Sequence, residues 1–387
     1  SYIEFDKKDL INLSYSLSKE FIRTNRAGSF ASTTIINCNT RKYHGLLICP
    51  VRKFNGQNHV LLSTLDETII QHDAEFHLGI HKYPIEYSPK GHKYIREYDA
   101  ESIPAITYRV GGVVLKKEML LVEKEERMLI KYTLLDAHSP TKIRLQPFLA
   151  FRNIHALTKA NLDVNTKYKV VSNGIKIKMY EGFPSLYMQT SKKSEYIHVP
   201  DWYYNIEYPL EQQRGYEYSE DLFVPGYFEM TIKKDEPIVF SAGTSEATTS
   251  SLTRQFISEV QKRIPRNSFM NCLENSAQQF ISRKNGKTKI IAGFPWFGHW
   301  ARDTIISLPG LTLALNKPDL FFEVIDTMLS EVKKCFFQSE GDYTSSGKDS
   351  ADAPLWFFWA FQKYLEYDPK FDVWKTYGKK LKEIIGC

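Results

Sequence analysis

Apolar positions in the first 245 residues recur with a short period. Residues 60–62, 68–70, 113–121, 128–135, 143–149, 168–179 and 184–190 are short apolar or alternating runs. Turn formers separate them, among them Gly111-Gly112, Ser139-Pro140 and Asn173-Gly174. Many short strands at hairpin spacing predict a large antiparallel β-sandwich. Residues 203–227 break the rhythm. They are polar and aromatic with few β-branched side chains, and read as a long excursion holding a short helix near residues 211–215.

After residue 250 the period lengthens. Leu252, Phe256, Ile257, Val260 and Ile264 fall at helical spacing and stop before Pro265. Phe269, Cys272, Leu273, Ala277, Phe280 and Ile281 make a second amphipathic helix. Asn285-Gly286, between residues 282–284 and 287–291, predicts a small hairpin. Helices follow at 304–316, 319–337 and 354–367, with Pro318 where a first-turn proline is tolerated. A last one starts near Asp372. Residues 319–337 have an apolar face (Phe322, Ile325, Leu329, Val332) and a charged one (Glu323, Asp326, Glu331, Lys334), which suits an outer surface. Residues 355–365 are aromatic almost all round, which suits burial on most sides.

Alternating outer and inner helices are the pattern of an (α/α)6 toroid. About five helices fit between residues 268 and 387, and six pairs are needed, so the ring is expected to be incomplete. The expected organisation is a β-sandwich over 1–248, a linker helix over 249–266, and a partial toroid over 267–387.

Composition narrows the partners. Hydrophobic residues are 42% and charged residues 25%, ordinary for a globular protein. The net charge of +6 is spread along the chain, with no basic stripe of the kind that nucleic acid requires. No apolar run approaches the length of a membrane span, and the N-terminus has no signal-peptide pattern. Cysteines 38, 49, 272, 335 and 387 show no metal-ligand rhythm. Free thiols in the cytoplasm, with no metal and no cofactor, are the expectation. Aromatics stand out at 14%. Most serve cores, and a few are candidates for stacking on sugar rings.

The candidate chemistry lies in Gly293-Phe294-Pro295-Trp296-Phe297-Gly298-His299-Trp300-Ala301-Arg302-Asp303-Thr304. A pyranose pocket needs a carboxylate that accepts from adjacent hydroxyls, a guanidinium fork beside it, and indoles with apolar faces and a polar edge. The residues alone leave a second reading open, in which Asp303 caps the following helix and the tryptophans fill the core. In the β half, Arg41 and His44 form a polar cluster. It is either a loop reaching toward the toroid or a buried hydrogen-bonded pair fixing a sandwich corner, and the second is favoured. Glu340, Asp342 and Asp349 read as solvated loop carboxylates.

The same segment resembles the "PWFGDWGRDT" signature of glycogen debranching enzymes of the amylo-α-1,6-glucosidase type. It is also similar to the Trp-x-Arg-Asp element of glucoamylases. The resemblance continues through residues 305–315 and through Ser350-Ala351-Asp352-Ala353-Pro354-Leu355-Trp356-Phe357, similar to "VDASLWF". Residues 24–32 resemble "TNGLGGYASGT" and residues 39–47 resemble "TRRYHGLL". Further matches are Leu65-Asp66-Glu67-Thr68, residues 147–152 and residues 220–226. The chain departs from the pattern at Arg26-Ala27, at His299 and at Ala301, and His299 bears on the electrostatics of the pocket.

What the resemblance implies is a glucose-binding subsite made of Trp296, Phe297, Trp300, Arg302, Asp303, Asp352 and Trp356, acting on glycogen or a branched α-glucan. It implies removal of single α-1,6-linked glucose stubs by inversion, which needs a general acid and a general base roughly 6.5–9.5 Å apart. In the family the acid lies in a "TWMD"-like segment and the base is a Glu near the C-terminal end. This sequence contains neither segment. The expectation is an enzyme fragment that holds sugar but lacks the acid and base, and that self-associates through its incomplete barrel. The competing readings are a non-catalytic carbohydrate-binding or scaffold protein and, further off, a glycoside phosphorylase relative.

Overall fold

Strand Val113–Leu121 shows how the first part of the chain is built. Val113, Leu115, Met119 and Leu121 alternate onto one face and enter the main core, whereas Leu120 points the other way into a second cluster. The computed structural model describes residues 1–332 and 352–386. They form two compact units, 1–272 and 273–387.

The first unit is two antiparallel sheets. One has nine strands in the order Glu4–Asp6, Ile95–Asp99, Ala105–Val110, Val113–Leu121, Arg127–Asp136, Ile238–Gly243, Leu186–Thr190, Gly174–Ile177, Tyr168–Val171. The other has eight, running Glu195–Glu207, Ser219–Ile232, Thr141–Asn153, Gln57–Gln71, Gly45–Val51, Phe30–Thr34, Glu20–Thr24, with Ala74–His77 paired to Gln57–Gln71. Their facing side chains form one core. A single buried carboxylate bridges it. Glu67 of the eight-stranded sheet accepts from the Tyr132 hydroxyl at 2.6 Å and pairs with the Lys117 ammonium, both from the nine-stranded sheet. All three side chains are buried.

Several expected elements appear at or close to their expected places. The runs at 60–62 and 68–70 are two parts of one 15-residue strand, Gln57–Gln71. The run at 168–179 is a hairpin that turns at Asn173-Gly174, with Asn173 left-handed at φ 48°. The span 203–227 differs from expectation. Only Pro209–Gln213 is helical, and the flanks are the long paired strands Glu195–Glu207 and Ser219–Ile232. Its polar residues misled because Glu220 and Asp221 are buried partners of the backbone and of Arg152, not loop residues. Gly226 marks a close approach of the paired strand. A Cβ there would stand 2.0 Å from the Ile197 carbonyl oxygen.

Helix Leu252–Gln261 lies on the outer face of the nine-stranded sheet. Leu252 and Phe256 pack with Leu120, Leu129 and Val239. The segment expected to be a linker helix is thus part of the first unit.

The second unit begins within helix Phe269–Gln279, which ends before strand Ile281–Lys284. The hairpin turns at Asn285-Gly286, both with positive φ (53° and 72°), as a tight two-residue turn requires. Helices Ala301–Leu311, Pro318–Ser330, Ala353–Tyr367 and Val373–Ile385 follow. Asp372 caps the last, accepting from Lys375 N at 3.1 Å. Pro318–Ser330 buries Leu320, Phe321, Val324, Ile325, Thr327, Met328 and Leu329, a broader face than the expected outer-surface stripe. Ala353–Tyr367 is less enclosed than its composition suggests. Phe357, Ala360, Phe361 and Tyr364 are buried, but Leu355 is 70% exposed. Hydrophobicity all round a helix reports the burial for which it is patterned, and the described residues cover one side only. The end of the helix expected at 337, the carboxylates Glu340, Asp342 and Asp349, and Cys335 and Cys387 lie outside the described residues.

Among the described helices none is long and apolar enough to cross a membrane. Cys38 and Cys49 are buried, and burial pushes the Cys38 thiol up to about 12.

The helix on the sheet generates a paired prediction. Phe256→Ala opens a cavity over Leu129 and Val239 and should cost about 3–5 kcal/mol in urea unfolding. Ile257→Ala, on the exposed side of the same helix, should stay within about 0.5 kcal/mol of wild type. Equal effects would mean that the helix does not stabilise the sandwich.

Candidate functional site

Residues 293–304 pass from sheet to helix. Strand Lys287–Gly293 is answered by a short strand, Phe297–His299, pairing Gly293 with Phe297 and Ile291 with His299. Trp300 then stands at the N-cap of helix Ala301–Leu311 in extended conformation, with no side-chain cap bond. Its carbonyl accepts from Thr304 N at 2.9 Å and Thr304 Oγ1 at 2.7 Å. Asp303 is therefore not the cap. It sits in the first turn, where the helix dipole favours a carboxylate, and its side chain is exposed. Its own carbonyl accepts from Ser307 Oγ at 2.7 Å.

Asp352 stands at the start of helix Ala353–Tyr367. Ala301, Ile305 and Leu308 share one core with Ala353, Phe357 and Ala360, which brings the two helix starts together. Arg302 Nη1 stands 3.6 Å from Asp352 Oδ2, and Trp356 Nε1 donates to the same oxygen at 3.2 Å. Trp356 meets Trp359 edge-on at 5.5 Å. Arg302 and Asp352 are 48% and 44% exposed, so the pair faces solvent. The cluster presents a cation, a carboxylate and an indole on one rim.

Arg302, Asp352 and Trp356 are thus brought into contact from positions 50 residues apart. Trp296, Phe297, Trp300 and Asp303 lie on the strand and helix start that supply Arg302. Phe297 is 53% exposed, and Trp296 and Trp300 are partly buried. His299 does not open onto solvent. It is buried, with Nδ1 against Ile290 O (3.3 Å) and Thr304 Oγ1 (3.2 Å). Trp359 escaped sequence reading, although it lies one turn from Trp356. Among the described residues there is no group of three or more His, Cys, Asp or Glu able to hold a metal ion.

The model of the glycogen debranching enzyme N-terminal family matches residues 19–239, more than half of the chain, and the amylo-α-1,6-glucosidase model matches residues 275–387. The chain belongs to the glycogen debranching enzyme family. Among solved structures, a bacterial glucoamylase complexed with acarbose is similar over 95% of this chain and 58% of its own, at 10% identity and a TM-score of 0.47. A polysaccharide lyase is similar over 61% of this chain and 34% of its own, at 9% identity and a TM-score of 0.24. Both are too remote to define a site. The chain spans little more than half the length of the glucoamylase. No curated protein matches the sequence.

In this debranching-family chain the Arg41–His44 cluster is tied to a residue that the sequence did not single out. Glu20 Oε1 accepts from His44 Nε2 and from Arg41 Nε, both at 2.7 Å. His44 Nδ1 accepts from Thr40 N at 2.9 Å and Arg41 N at 3.3 Å. Those bonds place the ring proton on Nε2 and occupy both nitrogens, so His44 has no free nitrogen for chemistry. Burial holds it below the ordinary histidine value. This is the geometry of a pinned corner. Glu20 lies 21 residues before Arg41, too far for any local pattern to reveal.

Burial would push the Glu20 carboxyl up, but the bonds from His44 and Arg41 outweigh it and bring the group to about 2. A carboxyl depressed from 4.5 to about 2 on folding contributes stability that is complete above pH 4.5 and fades toward pH 2. Glu20→Gln should accordingly cost about 2 kcal/mol at neutral pH. The gap between the wild-type and variant stabilities should close on acidification through that window. A gap that is flat with pH would show that the charge of Glu20 is not what fixes the corner.

Proposed function

We propose that Arg302, Asp352 and Trp356, with Asp303, Trp300, Trp296 and Phe297, hold the terminal glucose of an α-1,6-linked stub on a branched α-glucan such as glycogen. The reaction that this reading assigns to the family is hydrolysis of that stub with inversion, without metal or organic cofactor. The observation that carries this reading is the shared oxygen of Asp352, approached by Arg302 at 3.6 Å and bonded by Trp356 at 3.2 Å. A carboxylate fixed from two sides keeps its remaining lone pairs in one orientation, ready for adjacent sugar hydroxyls. The guanidinium offers donors to neighbouring oxygens, and the indole gives apolar surface to the C–H face of the ring. Membership of the debranching family supports the substrate class.

Turnover needs groups beyond those of the grip proposed here. A general acid and a general base each contribute roughly 10²–10⁴-fold and must stand within hydrogen-bond reach of the bond or the water. Asp303 and Asp352 serve as grip in this reading. The polypeptide of 387 residues should bind short α-1,6-branched oligosaccharides and release no glucose from limit dextrin at an enzymatic rate. Asp352→Asn and Arg302→Met should each weaken binding by about 10- to 100-fold, the worth of one charged hydrogen bond. Unchanged affinity in both variants would remove the site. Glucose release that disappears in Asp303→Ala would reassign Asp303 to catalysis.

We also propose that the face carrying Leu355 associates with a second copy of the chain. Leu355 (70% exposed), Trp374 (57%) and Ile385 (64%) are large apolar side chains open to solvent in the second unit, and exposed apolar surface is what association would cover. Sedimentation should show concentration-dependent association that Leu355→Glu reverses. A monodisperse monomer at all concentrations would contradict it.

A further inference from the structure

The chain has three Asn-Gly pairs, at 55–56, 173–174 and 285–286. In each the asparagine has positive φ, at 58°, 48° and 53°. An asparagine before glycine is prone to lose its side-chain amide, because the glycine nitrogen attacks with no Cβ beside it. The attack requires the peptide plane between the two residues to rotate toward the side-chain carbonyl carbon. Hydrogen bonds made by that peptide hold the plane and oppose the reaction.

Two of the three pairs are held. Gly56 N donates to Val51 O at 3.0 Å. The Asn173 carbonyl accepts from Thr190 N at 3.0 Å and from Thr190 Oγ1 at 3.4 Å. The paired strand also closes on Gly174, where a Cβ would stand 2.0 Å from Met188 O. Asn285-Gly286 differs. Both residues are exposed, and nothing lies within 4 Å of where a Gly286 Cβ would be. Among the described residues no hydrogen bond reaches Gly286 N, the Asn285 carbonyl or the Asn285 side chain.

Charge also favours reaction at this turn. Lys284 and Lys287 stand opposite each other across it. Lys287 pairs with Glu331 at 2.7 Å, and Lys284 meets no acid among the described residues. Positive charge on both sides favours a deprotonated Gly286 nitrogen and the carboxylate that results. Like charges directly opposite are destabilising, so a new carboxylate between them is welcome.

We propose that Asn285 deamidates in the folded protein while Asn55 and Asn173 are protected, and that the isoaspartyl product loosens the hairpin. The Gly286 nitrogen gives its proton to hydroxide and bonds to the Asn285 side-chain carbonyl carbon. The bond from that carbon to the amide nitrogen breaks, and ammonia leaves with a proton from water. Water then opens the cyclic imide. Attack at the side-chain carbonyl gives aspartate, and attack at the main-chain carbonyl gives isoaspartate. Water is the only reactant, and nothing is oxidised or reduced. Isoaspartate inserts an extra carbon into the main chain of a turn that closes in two residues. Strand Lys287–Gly293 runs from that turn to its pairing with Phe297–His299, so the turn fixes one end of the strand on which those residues are aligned.

The test incubates the full chain in mildly alkaline buffer made with heavy-oxygen water, folded and, in parallel, unfolded in urea. Peptide mass spectrometry reads the label at each Asn-Gly pair, and methylation by an isoaspartyl methyltransferase reads the isoaspartyl fraction. In the folded chain Asn285 should take up label roughly tenfold faster than Asn55 or Asn173, the effect of one hydrogen bond on the other two. In urea the three should react at similar rates. Asn285→Gly keeps a favoured turn sequence and has no amide to lose. Ageing should lower the melting temperature of the wild type and leave that of Asn285→Gly unchanged. Equal rates at the three pairs in the folded chain, or no label at Asn285 while the unfolded chain reacts, overturns the assignment. An isoaspartyl-rich wild type that melts as the fresh protein does overturns the effect on the hairpin.

Discussion

The ion pair between Arg152 and Glu220 is the interaction on which one end of the β domain depends. Arg152 is next to last in strand Thr141–Asn153, and Glu220 is second in the neighbouring strand Ser219–Ile232. The two side chains are buried and meet in a fork. Burial alone would lower the arginine, but Glu220 outweighs it and raises the group, so the charge is held in place. The remaining oxygen capacity of Glu220 is used by Tyr208 Oη at 2.6 Å and Thr158 N at 2.8 Å. Arg152 Nη2 reaches the Lys42 carbonyl at 2.8 Å. One pair therefore fixes the loop of residues 40–44, the turn after residue 153 and the start of helix Pro209–Gln213. Removing either partner leaves the other charge buried, which costs about 3–5 kcal/mol in comparable sites.

That network explains where the sequence could and could not be read. Helix Leu252–Gln261 and the Asn285-Gly286 hairpin were legible because local rules decide them: a helical apolar period that stops before Pro265, and two residues that accept positive φ. Residues 203–227 were not legible, because polarity was taken for exposure. Glu220, Asp221 and Tyr208 are polar and buried: Glu220 accepts from Arg152, Thr158 N and Tyr208, and Asp221 accepts from Ala160 N and Asn205 N. Arg152, Thr158 and Ala160 lie about 60 residues away, outside any local window. Glu20 with His44, and Glu67 with Lys117, belong to the same class of long-range polar pairing. The two patterned helices failed for a related reason. Periodicity states how much surface a helix offers for burial, whereas Leu355 and Leu320 differ in what stands opposite them.

The candidate site was legible in its residues rather than in its geometry. The Trp300-Ala301-Arg302-Asp303 string suggested a linked Arg-Asp grip. The contact that forms is between Arg302 and Asp352, 50 residues on, and the adjacent Asp303 points to solvent instead. Neighbours at i and i+1 on a helix do not face each other, so an arginine next to an aspartate in a first turn tends to seek its acid elsewhere. The packing of Ala301 and Ile305 against Ala353 and Phe357 supplies one.

A half-exposed ion pair such as Arg302–Asp352 contributes little to folding, because water screens it and two long side chains lose freedom to form it; such pairs are worth about 0–1 kcal/mol. In the proposed function its value lies elsewhere. The attraction between unit charges about 4 Å apart rises from about 1 kcal/mol in bulk water to about 4 kcal/mol near a protein surface. A glucose ring laid against Trp356 would exclude water from the same rim, and each hydroxyl would replace a water that had been bonded to Asp352 or Arg302. The grip is therefore weak when empty and strengthens as the sugar covers it. A carboxylate bonded in advance by Trp356 Nε1 makes that sequence favourable, since its orientation is fixed before the ligand arrives and less entropy is lost on binding.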